Sequence, residues 1–208
     1  NMLHPKSKIF CDMDGVLVDF LGGASEQLNE FLRHTKENGY PESRKWAKAY
    51  KRIVRDGLTD FQVKSEEDLR IPAIRTLMFL LIAEDPGGYF KNLGPMDDGV
   101  NQLWPFLIAA KRKASLLTAG IPGDPQKMSA KDGKTEWSKQ HLSPKPRRVI
   151  VVPAVTKRQF AIEGGYPNIL IDDKLRTIEQ WNEDGGIGLL HIPGRSDITI
   201  KNLKQLGL

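Results

Sequence analysis

Five short apolar runs constrain this chain more than anything else in its sequence: KIFCD at 8–12, KASLLTA at 113–119, RVIVVP at 148–153, NILIDD at 168–173 and IGLLHI at 187–192. They are rich in Ile, Val and Leu and do not alternate with polar residues, which is the pattern of strands buried on both faces. Helix-like segments lie between them: DDGVNQLWPFLIAAKR from 97, a stretch around KTEWSKQHL, TKRQFAIEGG from 156 and KLRTIEQWNEDGG from 174. Alternation of strand and helix predicts an α/β fold, a parallel sheet with right-handed crossovers and helices on both faces.

Residues 21–90 break that rhythm. Three helical stretches follow one another there, GASEQLNEFLRHTKENG, PESRKWAKAYKRIVRDG and SEEDLRIPAIRTLMFLLIAED. Ser25, Ser43 and Ser65 are candidate starts, Gly39 and Gly57 candidate stops, and Pro41 is a second candidate start for the middle helix. The expected organisation is an α/β core made of residues 1–20 and 91–208, interrupted after its first strand by a small helical cap of residues 21–90. A chain of 208 residues is long enough for one main core with such an insertion.

Charge and cysteine content narrow the setting. Lys and Arg number 31 against 26 Asp and Glu, a formal charge of +5 that suits anionic substrates without being diagnostic of them. The one cysteine, Cys11, sits inside an apolar run and cannot form an internal disulfide, so a buried structural thiol in a reducing, cytoplasmic compartment is expected. The most apolar helical run, IPAIRTLMFLLIAED, contains Arg75 and is too short to span a bilayer, so no membrane role is expected.

Chemistry concentrates at the carboxyl ends of the predicted strands, where ligands bind in open α/β sheets. Asp12 and Asp14 follow the first strand, Thr118 ends the second, Lys157 comes shortly after the third, and Asp172 with Asp173 closes the fourth. Carboxylates gathered at one point repel each other unless a cation sits among them. An all-oxygen donor set favours Mg²⁺, which takes one or two carboxylates and pairs with substrate phosphate. Lys157, the Thr118 hydroxyl and the backbone amides of Ala119 and Gly120 are then candidates to hold phosphate oxygens. Arg158 is the rival of Lys157. The four histidines show no metal-ligand spacing.

The ordered set DMDGV, Thr118, Lys157 and ILIDD resembles the four motifs of the haloacid dehalogenase superfamily of phosphatases, across most of the chain. DMDGVLVDF, PGGYFKNLGP and the ILIDD ending resemble its 5'(3')-deoxyribonucleotidase branch and the bacterial and phage relatives of that branch. The resemblance implies a Rossmann-like core with a cap. It makes Asp12 the nucleophile that forms an aspartyl phosphate and Asp14 the acid and base. It places Mg²⁺ on Asp12, Asp14 (through its carbonyl), Asp172 and Asp173, gives the phosphoryl oxygens to Thr118, Ala119 and Lys157, and sets Phe20 against a base. Because haloacid dehalogenases proper lack the second acid, Asp14 favours phosphate over carbon–halogen chemistry. The chain departs from the pattern at Val16, where many members carry threonine, at Ala119, where relatives often have serine, and in a long interval between Lys157 and Asp172.

These readings converge on a Mg²⁺-dependent phosphomonoesterase whose leading substrate is a nucleoside 5'-monophosphate, with a sugar phosphate or another small phosphorylated metabolite as runner-up. A polynucleotide end phosphatase ranks below both, because few aromatics interleave the basic residues. A non-catalytic binding module on the same fold is the rival from a different class. Against it, no nucleophile or metal carboxylate of the motif set is missing.

Overall fold

The computed structural model describes residues 3–123 and 129–208. A five-stranded parallel sheet runs through it in the order β3-β2-β1-β6-β7. Its strands are β1 (Ile9–Cys11), β2 (Ser115–Thr118), β3 (Val149–Val151), β6 (Ile169–Asp172) and β7 (Ile187–Leu190). All five apolar runs supply one strand each. β1 pairs with β2 through Phe10 and Ser115 and with β6 through Phe10 and Leu170, so it lies at the centre.

Both faces of this sheet are covered, as unbroken apolar strands require. Ile9, Cys11, Leu116, Ile169 and Ile171 join the larger core, which also takes in Trp104 and Leu107 of α6 (Trp104–Ala109), Trp137 of α7 (Ala130–His141) and Leu203 of α9 (Ser196–Gln205). Phe10, Leu117, Ile150 and Leu170 point the other way. They pack against Ala161 and against Ile178 and Trp181 of α8 (Leu175–Glu183).

After β1 the chain turns sharply. The Met13 carbonyl accepts from the amides of Leu17 and Val18, and Gly15 adopts φ +80°, a left-handed conformation that glycine takes without strain. Four helices follow: α1 (Phe20–Asn38), α2 (Arg44–Arg55), α3 (Glu66–Arg70) and α4 (Pro72–Glu84), with α4 in contact with the other three. α1 begins five residues ahead of Ser25, because Asp19 caps it by accepting from the Gly22 amide. The glycines at 22 and 23 look like a loop in sequence. They lie in the first turn of α1, and position 23 has room only for glycine, since an added Cβ would lie 2.3 Å from Leu93 Cδ2.

The third helical stretch is two helices, not one. Pro72 has no amide to donate and disfavours helical backbone at Ile71, so the chain breaks there and restarts with proline in the first turn. Ser65 caps α3 in a reciprocal box with Asp68. Ser43 stands at the N-cap of α2 without a side-chain hydrogen bond, and α2 starts at Arg44, not Pro41.

The chain returns to the sheet through α5 (Pro86–Lys91), which packs tightly on α7. Gly133 of α7 faces the Gly87 carbonyl so closely that an added Cβ would lie 2.3 Å from its oxygen. A π-helical turn at Gly99–Leu103 precedes α6 and its Pro105. TKRQFAIEGG, read as a helix, is a 3₁₀ turn at Ala154–Phe160 that runs into the two-stranded hairpin β4 (Ile162–Glu163) and β5 (Tyr166–Pro167). Gly164 and Gly165 form its two-residue loop, both with positive φ, and a Gly-Gly pair is a hairpin signal that outweighs helical periodicity here.

Candidate functional site

Asp12 and Asp172 end the two neighbouring strands β1 and β6, between which the strand order reverses. That is where an open parallel sheet leaves a crevice. Asp12, Asp172 and Asp173 each direct a carboxylate oxygen to one point, with all three oxygens within 4.8 Å of one another. Asp12 is 4% exposed and Asp172 fully buried.

Lys157 compensates part of this charge. Its Nζ donates to Asp12 Oδ1 at 3.1 Å and to Asp172 Oδ2 at 2.8 Å. Burial would lower the pKa of that ammonium, but Asp12 and Asp172 outweigh the effect and hold it well above its ordinary value. Arg158 is elsewhere, bound to Asp184 and Glu183 at the surface. An ammonium has three donors, and two are used, so among the described residues Lys157 keeps one N–H for a ligand in the cavity it lines.

One cation does not neutralise three carboxylates. Burial, then the neighbouring Asp12, pushes Asp173 up to about 8 and Asp172 up to about 6. Asp173 Oδ1 is buried and has no hydrogen-bond partner among the described residues. An orphaned carboxylate oxygen inside an all-oxygen cluster fits a small hard divalent cation such as Mg²⁺. Gly15 makes room for it, since a Cβ at that position would lie 2.2 Å from Asp173 Oδ2.

A second buried lysine escaped the sequence reading. Lys134, on α7, is 1% exposed and donates to Asp14 Oδ2 at 3.0 Å, to Thr118 Oγ1 at 2.6 Å and to the Ala119 carbonyl at 2.7 Å. Those three bonds exhaust its donors, so Lys134 fixes protein groups and has none to offer a ligand. Its signal lay in the spacing: Ala130, Lys134, Trp137 and Ser138 share the buried face of α7. Asp14 thus gives Oδ2 to Lys134 and is not among the three clustered carboxylates, and its Oδ1 is buried without a partner among the described residues.

A cavity of about 600 Å³ opens above these groups. Asp12, Asp14, Gly15, Ala119, Lys157 and Asp173 line one end of it. Phe20 lines it too, packed on Tyr89 and Phe90 with ring centroids 6.1 and 6.3 Å away. Thr118 and Asp172 are fully buried and do not reach its wall, so Thr118 meets Lys134 while its neighbours Ala119 and Gly120 face the cavity. Arg70, Arg75, Met78 and Phe79, from α3 and α4, line it as well.

Two solved structures share this architecture along nearly their whole length. A haloacid dehalogenase-like family hydrolase from Xanthomonas campestris is 17% identical over 96% of this chain and 91% of its own, with a TM-score of 0.50. The HAD-hydrolase YfnB from Bacillus subtilis, whose structure holds magnesium, is 12% identical over 91% of this chain and 87% of its own, also at 0.50. The fold is that of the haloacid dehalogenase-like hydrolases. No family model matches the sequence, and no curated protein matches it. At such low identity the likeness concerns the haloacid dehalogenase fold alone. Among the described residues no helix is long and apolar enough to cross a membrane.

Proposed function

We propose that this chain is a Mg²⁺-dependent phosphomonoesterase that works through an aspartyl phosphate on Asp12. The observation that carries the reading is the convergence of Asp12, Asp172 and Asp173 within 4.8 Å beside a lysine with a donor to spare. Bound between these carboxylates, Mg²⁺ would supply positive charge where phosphoryl oxygens gather.

The chain's own groups divide the remaining work. An Asp12 carboxylate oxygen attacks phosphorus while the bond to the leaving oxygen breaks, and Asp14 gives that oxygen its proton. Asp14 then takes a proton from the water that attacks the aspartyl phosphate, releasing phosphate and restoring Asp12. Lys157 follows the phosphoryl charge with its free N–H. Lys134 keeps Asp14 and Thr118 in place, and the backbone at Ala119 and Gly120 faces the phosphoryl oxygens. The helices of residues 21–90 act as a cap that excludes bulk water.

The leading substrate is a nucleoside 5'-monophosphate, because Phe20, Phe79 and Phe90 give a cavity of about 600 Å³ an aromatic wall for a base to pack against. A sugar phosphate fits the same volume equally well and remains the second reading. Phosphate release from an aryl phosphate with Mg²⁺ tests the chemistry. EDTA should abolish it, and Asp12→Asn should lower kcat on the order of 10⁴-fold or more, as loss of a nucleophile does elsewhere. Full activity in either case would overturn the mechanism, and silence on a broad panel of phosphate esters with Mg²⁺ still bound would favour the binding module.

A further inference from the structure

Two structural elements bring charge to the cavity. The strand ends contribute Asp12, Asp14 and Asp173, with Lys157 and Lys174 beside them; α3 and α4 contribute Arg70 and Arg75. Both arginines are exposed, and neither meets a carboxylate among the described residues. That sets them apart from most cations on the same four helices, because Arg33, Lys36, Lys45, Arg52 and Arg55 are each paired with an acid. Arg44, Lys48 and Lys51, also unpaired, do not line the cavity.

Arg75 is also preset. Its guanidinium lies over the Phe79 ring, 5.2 Å from the centroid, and both residues line the cavity one helical turn apart. Stacking restrains the planar group while leaving its N–H edges free, and those edges match the two oxygens of a carboxylate or phosphate. Glu66 starts α3 one turn before Arg70 and lines the cavity too, but among the described residues it forms no ion pair with either arginine.

We propose that Arg70 and Arg75 form a second anion-binding subsite, and that the substrate is a phosphomonoester carrying a second phosphate or a carboxylate at the end remote from Asp12. This rests on the phosphomonoesterase reading and narrows its substrate class past the nucleoside 5'-monophosphate, which has no second anion: one anionic group reacts at the strand ends, the other is gripped by the helices. Specificity then comes from guanidinium groups that a substrate with a single anionic group would leave unmatched. A nucleoside 3',5'-bisphosphate, a sugar bisphosphate and a phosphorylated hydroxy acid all meet the requirement.

The test compares matched pairs at constant salt: a nucleoside 5'-monophosphate with its 3',5'-bisphosphate, a sugar monophosphate with its bisphosphate, and a phosphorylated alcohol with the corresponding phosphorylated hydroxy acid. At least one pair should show a preference of about tenfold or more in kcat/KM for the member with the second anion, the scale of one well-made charge-assisted pair. Arg70→Gln and Arg75→Gln should each shrink that preference, chiefly through KM. Which pair responds tells phosphate from carboxylate. No preference in any pair, or glutamine variants that slow both members of a pair alike, overturns the subsite while leaving turnover of an aryl phosphate, and so the phosphomonoesterase reading, intact. Should no ester be hydrolysed at all, titration of the same compounds into the Asp12→Asn protein still decides: weaker binding of the doubly charged member in Arg75→Gln upholds the subsite, and equal binding overturns it.

Discussion

The strand-end floor of the cavity and its helical roof handle charge in opposite ways. On the floor, Lys134 and Lys157 are buried to within a few percent and locked at 2.6–3.1 Å onto Asp14, Thr118, Asp12 and Asp172. On the roof, Arg70 and Arg75 are exposed and meet no acid among the described residues. Buried charges must be matched inside the protein, so the floor is fixed before any ligand arrives. Exposed guanidinium groups stay solvated at little cost and can wait for a partner. The chemistry is thus built into the rigid end, and selection is left to the adaptable one.

Breaking the floor should have the largest effect. Lys157→Met removes the one ammonium that, among the described residues, bridges Asp12 and Asp172, leaving two buried carboxylates uncompensated at a cost of about 3–5 kcal/mol. Urea denaturation in EDTA measures it, and Mg²⁺ should recover part of the loss. Turnover should fall about 10²- to 10³-fold, because Lys157 is the cation that touches Asp12 and still keeps a donor for the phosphoryl oxygens. A stable Lys157→Met protein without Mg²⁺ would mean that the floor is not held by paired charge.

The same contrast predicts how pH acts on the metal-free protein. Asp172 and Asp173 are raised to about 6 and about 8, above the ordinary carboxylate range, so between pH 4 and 8 the folded state holds more protons than the unfolded one. Their contribution is whole below the unfolded pKa and is lost as pH rises through 6 and then 8, a decline of a few kcal/mol. Tm in EDTA should drop across that window, Mg²⁺ should flatten the drop, and Asp173→Asn should remove its upper part. Substitutions of Arg70 and Arg75 should leave the slope untouched. A Tm that climbs from pH 5 to 8 in EDTA would contradict the crowding of these acids.

How much of this was legible in the sequence follows the same division. The five strands announce themselves because burial on two faces leaves no choice of residue, and the acids stand out because each sits where an apolar run stops. Lys134 was missed since a lysine in a polar-looking helix reads as solvated. The spacing of Ala130, Trp137 and Ser138 marks the face that turns inward, and the close approach of Gly133 to the Gly87 carbonyl seats it there. The break at Ile71 and the Gly-Gly hairpin were written in Pro72 and in Gly164–Gly165, local signals that periodicity overrode. The unpaired state of Arg70 and Arg75 has no sequence signature, because it depends on which acids the fold brings near.

A smaller probe of the floor is Gly15→Ala. With φ at +80° and a Cβ position 2.2 Å from Asp173 Oδ2, alanine strains the backbone by about 1–3 kcal/mol and displaces the carboxylate. Mg²⁺ affinity, read by calorimetry, should weaken more than global stability does. Equal affinity would show that Asp173 is not held where the metal needs it.

The smallest expected effect separates roof from floor most cleanly. Ser65 Oγ accepts from the Asp68 amide at 3.2 Å, and Asp68 Oδ2 returns bonds to the amides of Ser65 and Lys64 at 3.0 and 2.8 Å. This box is what starts α3, a helix of five residues that carries Leu69 and Arg70 to the cavity and is too short to hold itself. Ser65→Ala should cost about 1 kcal/mol, typical of a lost N-cap. Because the fraying is local to the roof, KM for the preferred doubly charged ester should rise severalfold, while kcat on a small aryl phosphate, which needs only the strand ends, should change less. If kcat on the aryl phosphate fell as steeply as kcat/KM on the larger ester, the capped end of α3 would be part of the catalytic floor, and the division between a fixed chemical end and an adaptable selective end would fail.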